Sequence, residues 1–177
     1  TTKAALLEKV KECWASLFTP RAIFYRYEKK LHKTPVSVAV VVQAMVQSEI
    51  SGIAFTVHPV TKDWGQMVIE AGFGLGEAIV GGKITPDTYV LHKSPLRILE
   101  HHLGEQELMI VRGKGGCVEK AVPASRRSKQ KLADAKLLQL AKLCLKISAH
   151  YGQPQDIEWA LVGSKFYVLQ SRPITTL

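Results

Sequence analysis

No apolar run in this sequence reaches the roughly 18 residues that a helical membrane span requires. The longest, Val36 to Val42, is interrupted by Ser37 and ends at Gln43, so no membrane partner is expected. Cysteine is scarce. Cys13, Cys117 and Cys144 form no CxxC pair, which argues against a disulfide framework and points to free thiols in a reducing, cytoplasmic setting. His101 and His102 are adjacent, with no second pair at finger-like spacing, so a zinc site is not expected either. A secretory leader is not expected, because the chain opens directly into a charged, helix-patterned segment. Acidic residues are few: 15 Asp and Glu stand against 24 Lys and Arg, a net charge of +9. Such an excess attracts polyanions, nucleotide phosphates among them. No RNP-type aromatic motif or finger accompanies it, so nucleic acid is not an expected partner.

What remains is an ordinary globular composition, 46% hydrophobic and 22% charged over 177 residues, enough for one domain or a compact pair of subdomains. Leu6, Leu7, Val10, Trp14, Leu17 and Phe18 recur at helical spacing and predict a helix from Lys3 to Phe18. Thr19-Pro20 reads as a cap followed by a first-turn proline, opening a second helix to about Lys30. Val36 to Val42, β-branched and nearly continuous, predicts a strand covered on both faces. Further strands are expected at 50–57, 66–71, 88–92, 97–101, 107–111, 117–122, 156–162 and 166–170. A short helix is expected at Glu77–Val80 and a long one at Ser128–Tyr151, its stripe formed by Leu132, Ala135, Leu138, Leu140, Ala141, Leu143, Leu145 and Ile147. The expected class is α+β: a predominantly antiparallel sheet with flanking helices. A helical lead-in would occupy 1–34, and mixed sheet with the long helix 35–177. Arg21, Arg26, Lys29, Lys30 and Lys33 form one basic group. Arg112, Lys114, Lys120, Arg126, Arg127, Lys129 and Lys131 form another, and both are expected to be largely solvated.

The last hairpin carries the chemistry. With a two-residue loop, Glu158 faces Leu169. With the three-residue loop Gly163-Ser164-Lys165, Val162 pairs with Phe166, Glu158 lies opposite Gln170 and Asp156 opposite Arg172. The second register is preferred because it gathers all four polar groups on one face, with directly opposed Cβ atoms roughly 4.5–5.5 Å apart. A carboxylate beside an amide oxygen is a hard donor pair suited to Mg²⁺, and Arg172 could hold a phosphate or pair with Asp156. In this register Ile157, Trp159, Leu161, Tyr167 and Leu169 face the core. On pattern alone, an exposed hairpin with one salt bridge and no function fits equally well.

Whole phrases settle the matter. Gln47 to Pro59, Gly72-Phe73-Gly74-Leu75-Gly76-Glu77-Ala78, Pro86-Asp87-Thr88-Tyr89, Asp156-Ile157-Glu158-Trp159 and Gln170-Ser171-Arg172-Pro173-Ile174-Thr175 resemble, in order, the ATP-binding domain of phosphoenolpyruvate synthases. Trp14-Ala15-Ser16-Leu17-Phe18, Arg21-Ala22 and Tyr25-Arg26 are also similar. Pyruvate phosphate dikinase and the rifampicin phosphotransferases share this ATP-grasp domain. The resemblance implies the C-terminal subdomain of an ATP-grasp unit that binds ATP and Mg²⁺, with Glu158 and Gln170 at the metal and Asp156 and Arg172 as the flanking polar pair. It implies that Gln43, Ala44 and Met45 meet adenine through backbone groups, and it makes Glu77 a weaker nucleotide candidate. The family's phosphate-gripping lysine, arginine and glycine-rich loop are expected in an N-terminal half that precedes residue 1. A phosphohistidine domain and a pyruvate-binding domain are expected beyond residue 177. None of the six histidines, His32 included, stands in a phosphohistidine context, so no catalytic residue is assigned. Gly72, Gly74 and Gly76 lack the second spacing of a dinucleotide fingerprint and read as a tight turn. A basic binding module that kept the fold without catalysis is the alternative.

Overall fold

The computed structural model describes residues 2–31 and 33–175, so His32 lies outside the described residues. The chain divides into two compact units, Thr1–Met45 and Val46–Leu177. In the first, α1 (Lys3–Ala15) is capped by Thr2, whose hydroxyl accepts from the Ala5 N–H at 3.2 Å. A 3₁₀ turn at Ser16–Phe18 follows, and Thr19 caps α2 (Pro20–Glu28), with its proline in the first turn. Neither helix contains a buried residue, and Trp14, Phe18 and Phe24 are exposed.

The strand expected at Val36–Val42 does not form. Residues 35–48 adopt neither helix nor strand, and Val41 and Val42 are exposed. A strand needs a neighbour to take its N–H and C=O groups, and no described residue pairs with this stretch.

The second unit is built on a six-stranded, wholly antiparallel sheet. Its strands are β1 (Ile50–Phe55), β2 (Gln66–Phe73), β3 (Asp87–Lys93), β4 (Leu96–His102), β7 (Gln155–Val162) and β8 (Lys165–Pro173), in the order β4-β3-β2-β1-β7-β8. The hairpin β5 (Leu108–Arg112) and β6 (Cys117–Ala121) forms a separate two-stranded sheet. Helices α3 (Glu77–Val80), α4 (Ala124–Arg127) and α5 (Asp134–Tyr151) complete the unit.

One face of the large sheet packs on α5. Ala54, Ile69, Tyr89, Ile157 and Trp159 meet Leu137, Leu140, Ala141 and Cys144 there, all fully buried. Burial pushes the Cys144 thiol up to about 12, so this cysteine behaves as a small hydrophobe. The helix is rotated from the expected stripe. Leu137 and Cys144 enter the core and Leu138, Leu145 and Ile147 pack half-buried against it, whereas Ala135 is exposed and Leu143 lines an outer groove. Close sheet packing also explains Gly52, where a Cβ would lie 1.8 Å from the Glu70 carbonyl oxygen and 2.7 Å from the Trp159 ring.

α5 begins at Asp134, later than the expected Ser128, because the preceding backbone is engaged elsewhere. The Lys131 N–H donates to Asp87 Oδ2 at 2.8 Å, and the Leu132 N–H donates to the Tyr89 hydroxyl oxygen at 3.4 Å. Lys131 itself, expected on a solvated basic face, is buried. Its ammonium donates to Asp87 Oδ1 at 2.7 Å and to the Gly104 and Arg127 carbonyls. Asp87 also accepts from the Gly104 N–H and the Tyr89 hydroxyl. Burial, then the hydrogen bond to Asp87, pushes the Tyr89 phenol well above its ordinary value. A buried charge persists only when paired and hydrogen-bonded, and this pair ties the loops around residues 104 and 131 to β3.

Candidate functional site

The hairpin β7–β8 reaches the expected pairing by a different route. Its loop has two residues, Gly163 and Ser164, because Val162 pairs with Lys165 and not with Phe166. Left alone, that register would set Glu158 against Leu169. A bulge intervenes: Trp159 pairs with Val168 and Glu158 with Gln170, so Leu169 is the extra residue. Beyond it, Asp156 lies opposite Arg172. The two-residue loop also sets Tyr167 opposite Ala160, on the same face as Glu158 and away from the expected core.

Cross-strand pairing now writes out the face opposite α5. One row reads Glu70, Ile53, Glu158, Gln170 across β2, β1, β7 and β8. The next reads Val68, Phe55, Asp156, Arg172. Asp156 is nearly buried, and its Oδ2 accepts from Arg172 Nε at 2.8 Å and Nη2 at 2.7 Å. The guanidinium is therefore fixed at its base while its side chain remains two-thirds exposed, at 66%. Glu158 is half-buried and Gln170 exposed, and neither side chain has a hydrogen-bond or ion-pair partner among the described residues.

Glu70 was missed by the sequence analysis. Its signal was a lone carboxylate inside the apolar run Met67-Val68-Ile69-Glu70-Ala71. Burial, and then the charge of Asp156, raises its carboxyl above the ordinary glutamate value. Its proximity to the hairpin depends on β1 lying between β2 and β7, which no local pattern specifies.

Beside the second row lies a cavity of about 690 Å³ lined by Ile53, Phe55, Pro59, Val80, Arg172 and Ile174, among others. α3 contributes one wall. The turn before it is tightly held: Gly74 has φ +87°, its carbonyl accepts from the Ser48 and Ser51 hydroxyls at 2.8 and 2.7 Å, and a Cβ there would lie 2.4 Å from the Ile110 carbonyl oxygen. Gln106 grips both main-chain groups of Phe73, and the Arg126 guanidinium stacks 4.4 Å from the Phe73 ring centroid. These contacts hold the turn at Gly74–Gly76, whereas Gly72 lies within β2, opposite Ser51.

The structure thus brings Asp156, Glu158, Gln170 and Arg172 together. Glu77 opens α3, exposed and outside the two rows. Gln43, Ala44 and Met45 belong to the first unit and are exposed.

The donor set can be tested against the implied ion. No group of three or more His, Cys, Asp or Glu side chains able to hold a metal occurs among the described residues. A dedicated protein cage is therefore not what this face offers. One carboxylate and one amide oxygen, adjacent and unengaged, fit Mg²⁺, which keeps several waters and takes substrate phosphates as further ligands.

The fold is an α+β domain built on an antiparallel sheet, and the comparisons give its family. The profile of the pyruvate phosphate dikinase AMP/ATP-binding domain matches residues 1–177, and the chain belongs to that family. It is 50% identical, over 97% of its length, to a probable phosphoenolpyruvate synthase of Archaeoglobus fulgidus, covering 23% of that protein. It is 44% identical over 97% of its length to the phosphoenolpyruvate synthase of Pyrococcus furiosus, covering 22% of it. It is 41% identical over 98% of its length to the rifampicin phosphotransferase of Bacillus subtilis, covering 20% of it. The chain thus spans about a quarter or less of the relatives it matches. No helix among the described residues is long and apolar enough to cross a membrane.

Proposed function

We propose that this chain is the ATP- and Mg²⁺-binding portion of a phosphoenolpyruvate synthase, the C-terminal part of a cytoplasmic enzyme's ATP-grasp domain, with 1–34 as helical lead-in and 35–177 as sheet and long helix. The carrying observation is the double cross-strand pairing, Glu158 with Gln170 and Asp156 with Arg172, in a member of an AMP/ATP-binding family. The whole enzyme converts ATP, pyruvate and water into AMP, phosphoenolpyruvate and phosphate, through a phosphohistidine on a domain outside this chain.

In this reading Glu158 and Gln170 hold Mg²⁺, which supplies charge neutralisation on the phosphate oxygens when bound. Arg172 donates its outward N–H groups to a phosphate oxygen. Asp156 pre-orients it, so little reorganisation is left for the moment of transfer. Gln43, Ala44 and Met45 offer backbone groups to adenine, and Glu77 contributes at the nucleotide's margin. The remaining phosphate contacts come from the domain's N-terminal half, so the chain by itself is inactive and binds ATP weakly.

Calorimetric titration with Mg·ATP is expected to give weak binding that Gln170→Ala removes. In the full-length enzyme Glu158→Ala is expected to abolish ATP-dependent phosphoryl transfer; intact transfer would sink the assignment. A second reading, the same domain in a rifampicin-type phosphotransferase, is favoured by the relatives at 41% and 43% identity. A third, a pyruvate phosphate dikinase, takes its support from the family's own description. Assaying the full-length enzyme with pyruvate, with and without phosphate, and with rifampicin separates the three.

A further inference from the structure

We propose that Ser171 and Gln155 are positioning residues that pin the phosphate-facing stretch of β8 from behind, an inference that rests on the functional reading above. Among the described residues β8 is an edge strand, hydrogen-bonded to β7 alone. Gln170, Ser171 and Arg172 lie between the bulge at Leu169 and Pro173, which pairs with Gln155 but has no N–H to donate. Bulges and edges are where a ladder is weakest. Two residues that must meet an ion and a phosphate thus stand on the least supported part of the sheet.

Two side-chain ties compensate. On the front, Arg172 is held by Asp156. On the back, Ser171 points between Gln170 and Arg172 toward the α5 side, and its hydroxyl donates to Gln155 Oε1 at 2.8 Å. Gln155 is 1% exposed, and it is fixed in turn. Its amide nitrogen donates to the Gln153 carbonyl at 3.2 Å, and its N–H donates to the Thr56 hydroxyl oxygen at 2.8 Å. The Thr56 N–H donates back to the Gln155 carbonyl at 3.0 Å. Thr56 also reaches the Ser148 hydroxyl at 3.3 Å, which in turn donates to the Gln153 carbonyl at 3.1 Å. The end of β1, the last turns of α5 and the start of β7 therefore converge on one hydroxyl of β8. Buried amides tolerate little loss: removing the hydroxyl leaves Gln155 Oε1 buried without that donor, and the strand loses its rear anchor. Ser171 touches neither metal nor nucleotide in this arrangement; it acts through the placement of its two neighbours.

The test uses the full-length protein with Ser171→Ala, Ser171→Thr, Glu158→Ala and Leu140→Ala, the last removing a fully buried α5 side chain from the core of the same unit. Ser171→Ala is expected to raise the Mg²⁺ concentration for half-maximal ATP-dependent activity about tenfold, a modest loss on the affinity scale. It should also accelerate amide hydrogen exchange at Gln170 to Arg172, and Ser171→Thr, which keeps the hydroxyl, should restore both. Leu140→Ala should lower the thermal midpoint without moving the Mg²⁺ requirement. The proposal is overturned if Ser171→Ala matches the wild type in both readouts, or if Leu140→Ala shifts the Mg²⁺ requirement equally. If Glu158→Ala is inactive while Ser171→Ala is unchanged, the positioning role alone fails. If Glu158→Ala retains full activity, the functional reading fails and the positioning role falls with it.

Discussion

Two apolar stretches close together in the chain meet opposite fates. Val36 to Val42 is the more β-branched, yet it is unpaired, with Val36, Val38 and Val40 only half-buried and Val41 and Val42 exposed. Ile50 to Phe55, which contains a glycine and a serine, becomes a central strand with β2 on one side and β7 on the other. Propensity did not decide between them. β1 has two neighbours that take its backbone groups and a helix that covers its Ala54 face; the earlier stretch has no neighbour among the described residues. β-propensity measures fit to a half-buried pleated surface, and it has no effect where that surface is missing.

The sharpest way to break the comparison is to place the same charge in both stretches. Ala54→Asp inserts an unpaired carboxylate at a fully buried position and is expected to cost upwards of about 4 kcal/mol, read by chemical denaturation. Next in size is the tie that holds the sheet to its loops. Asp87→Ala strands the buried Lys131 ammonium and should cost about 3–5 kcal/mol; a midpoint near the wild type would mean that the pair is not buried as described.

Glu70→Gln acts through pH and more gently. Because its folded carboxyl titrates above the ordinary glutamate value of about 4.3, the native state binds more protons than the unfolded one between those two values. Stability is therefore greatest below the ordinary value and declines as pH rises through the raised one. The glutamine variant should flatten that decline, and an unchanged pH slope would contradict the burial of Glu70. Smallest of all, Val42→Asp should leave stability within about 0.5 kcal/mol, as for other exposed sites. A loss like that of Ala54→Asp would show the stretch to be covered after all.

Much of the site could be read in advance. Glu158 opposite Gln170 and Asp156 opposite Arg172 followed from requiring four polar groups on one face, and that requirement held although the loop length behind it did not. The two-residue loop and the bulge at Leu169 compensate each other, and hairpin pattern alone cannot distinguish one extra loop residue from one extra strand residue. Glu70 was illegible for a different reason. It joins the row only through Ile53, and strand order is a long-range property.

By itself the sequence determined the class, the strands of the second unit to within a few residues, the short helix α3, and the family, because alternation, capping residues and ordered phrases are local. Only the tertiary structure decided that 36–42 is not a strand, that α5 turns Leu137 and Cys144 inward, and that Lys131 is buried against Asp87. Each of these depends on which distant groups arrive to satisfy a backbone, fill a core or neutralise a charge, and no window along the chain contains both partners.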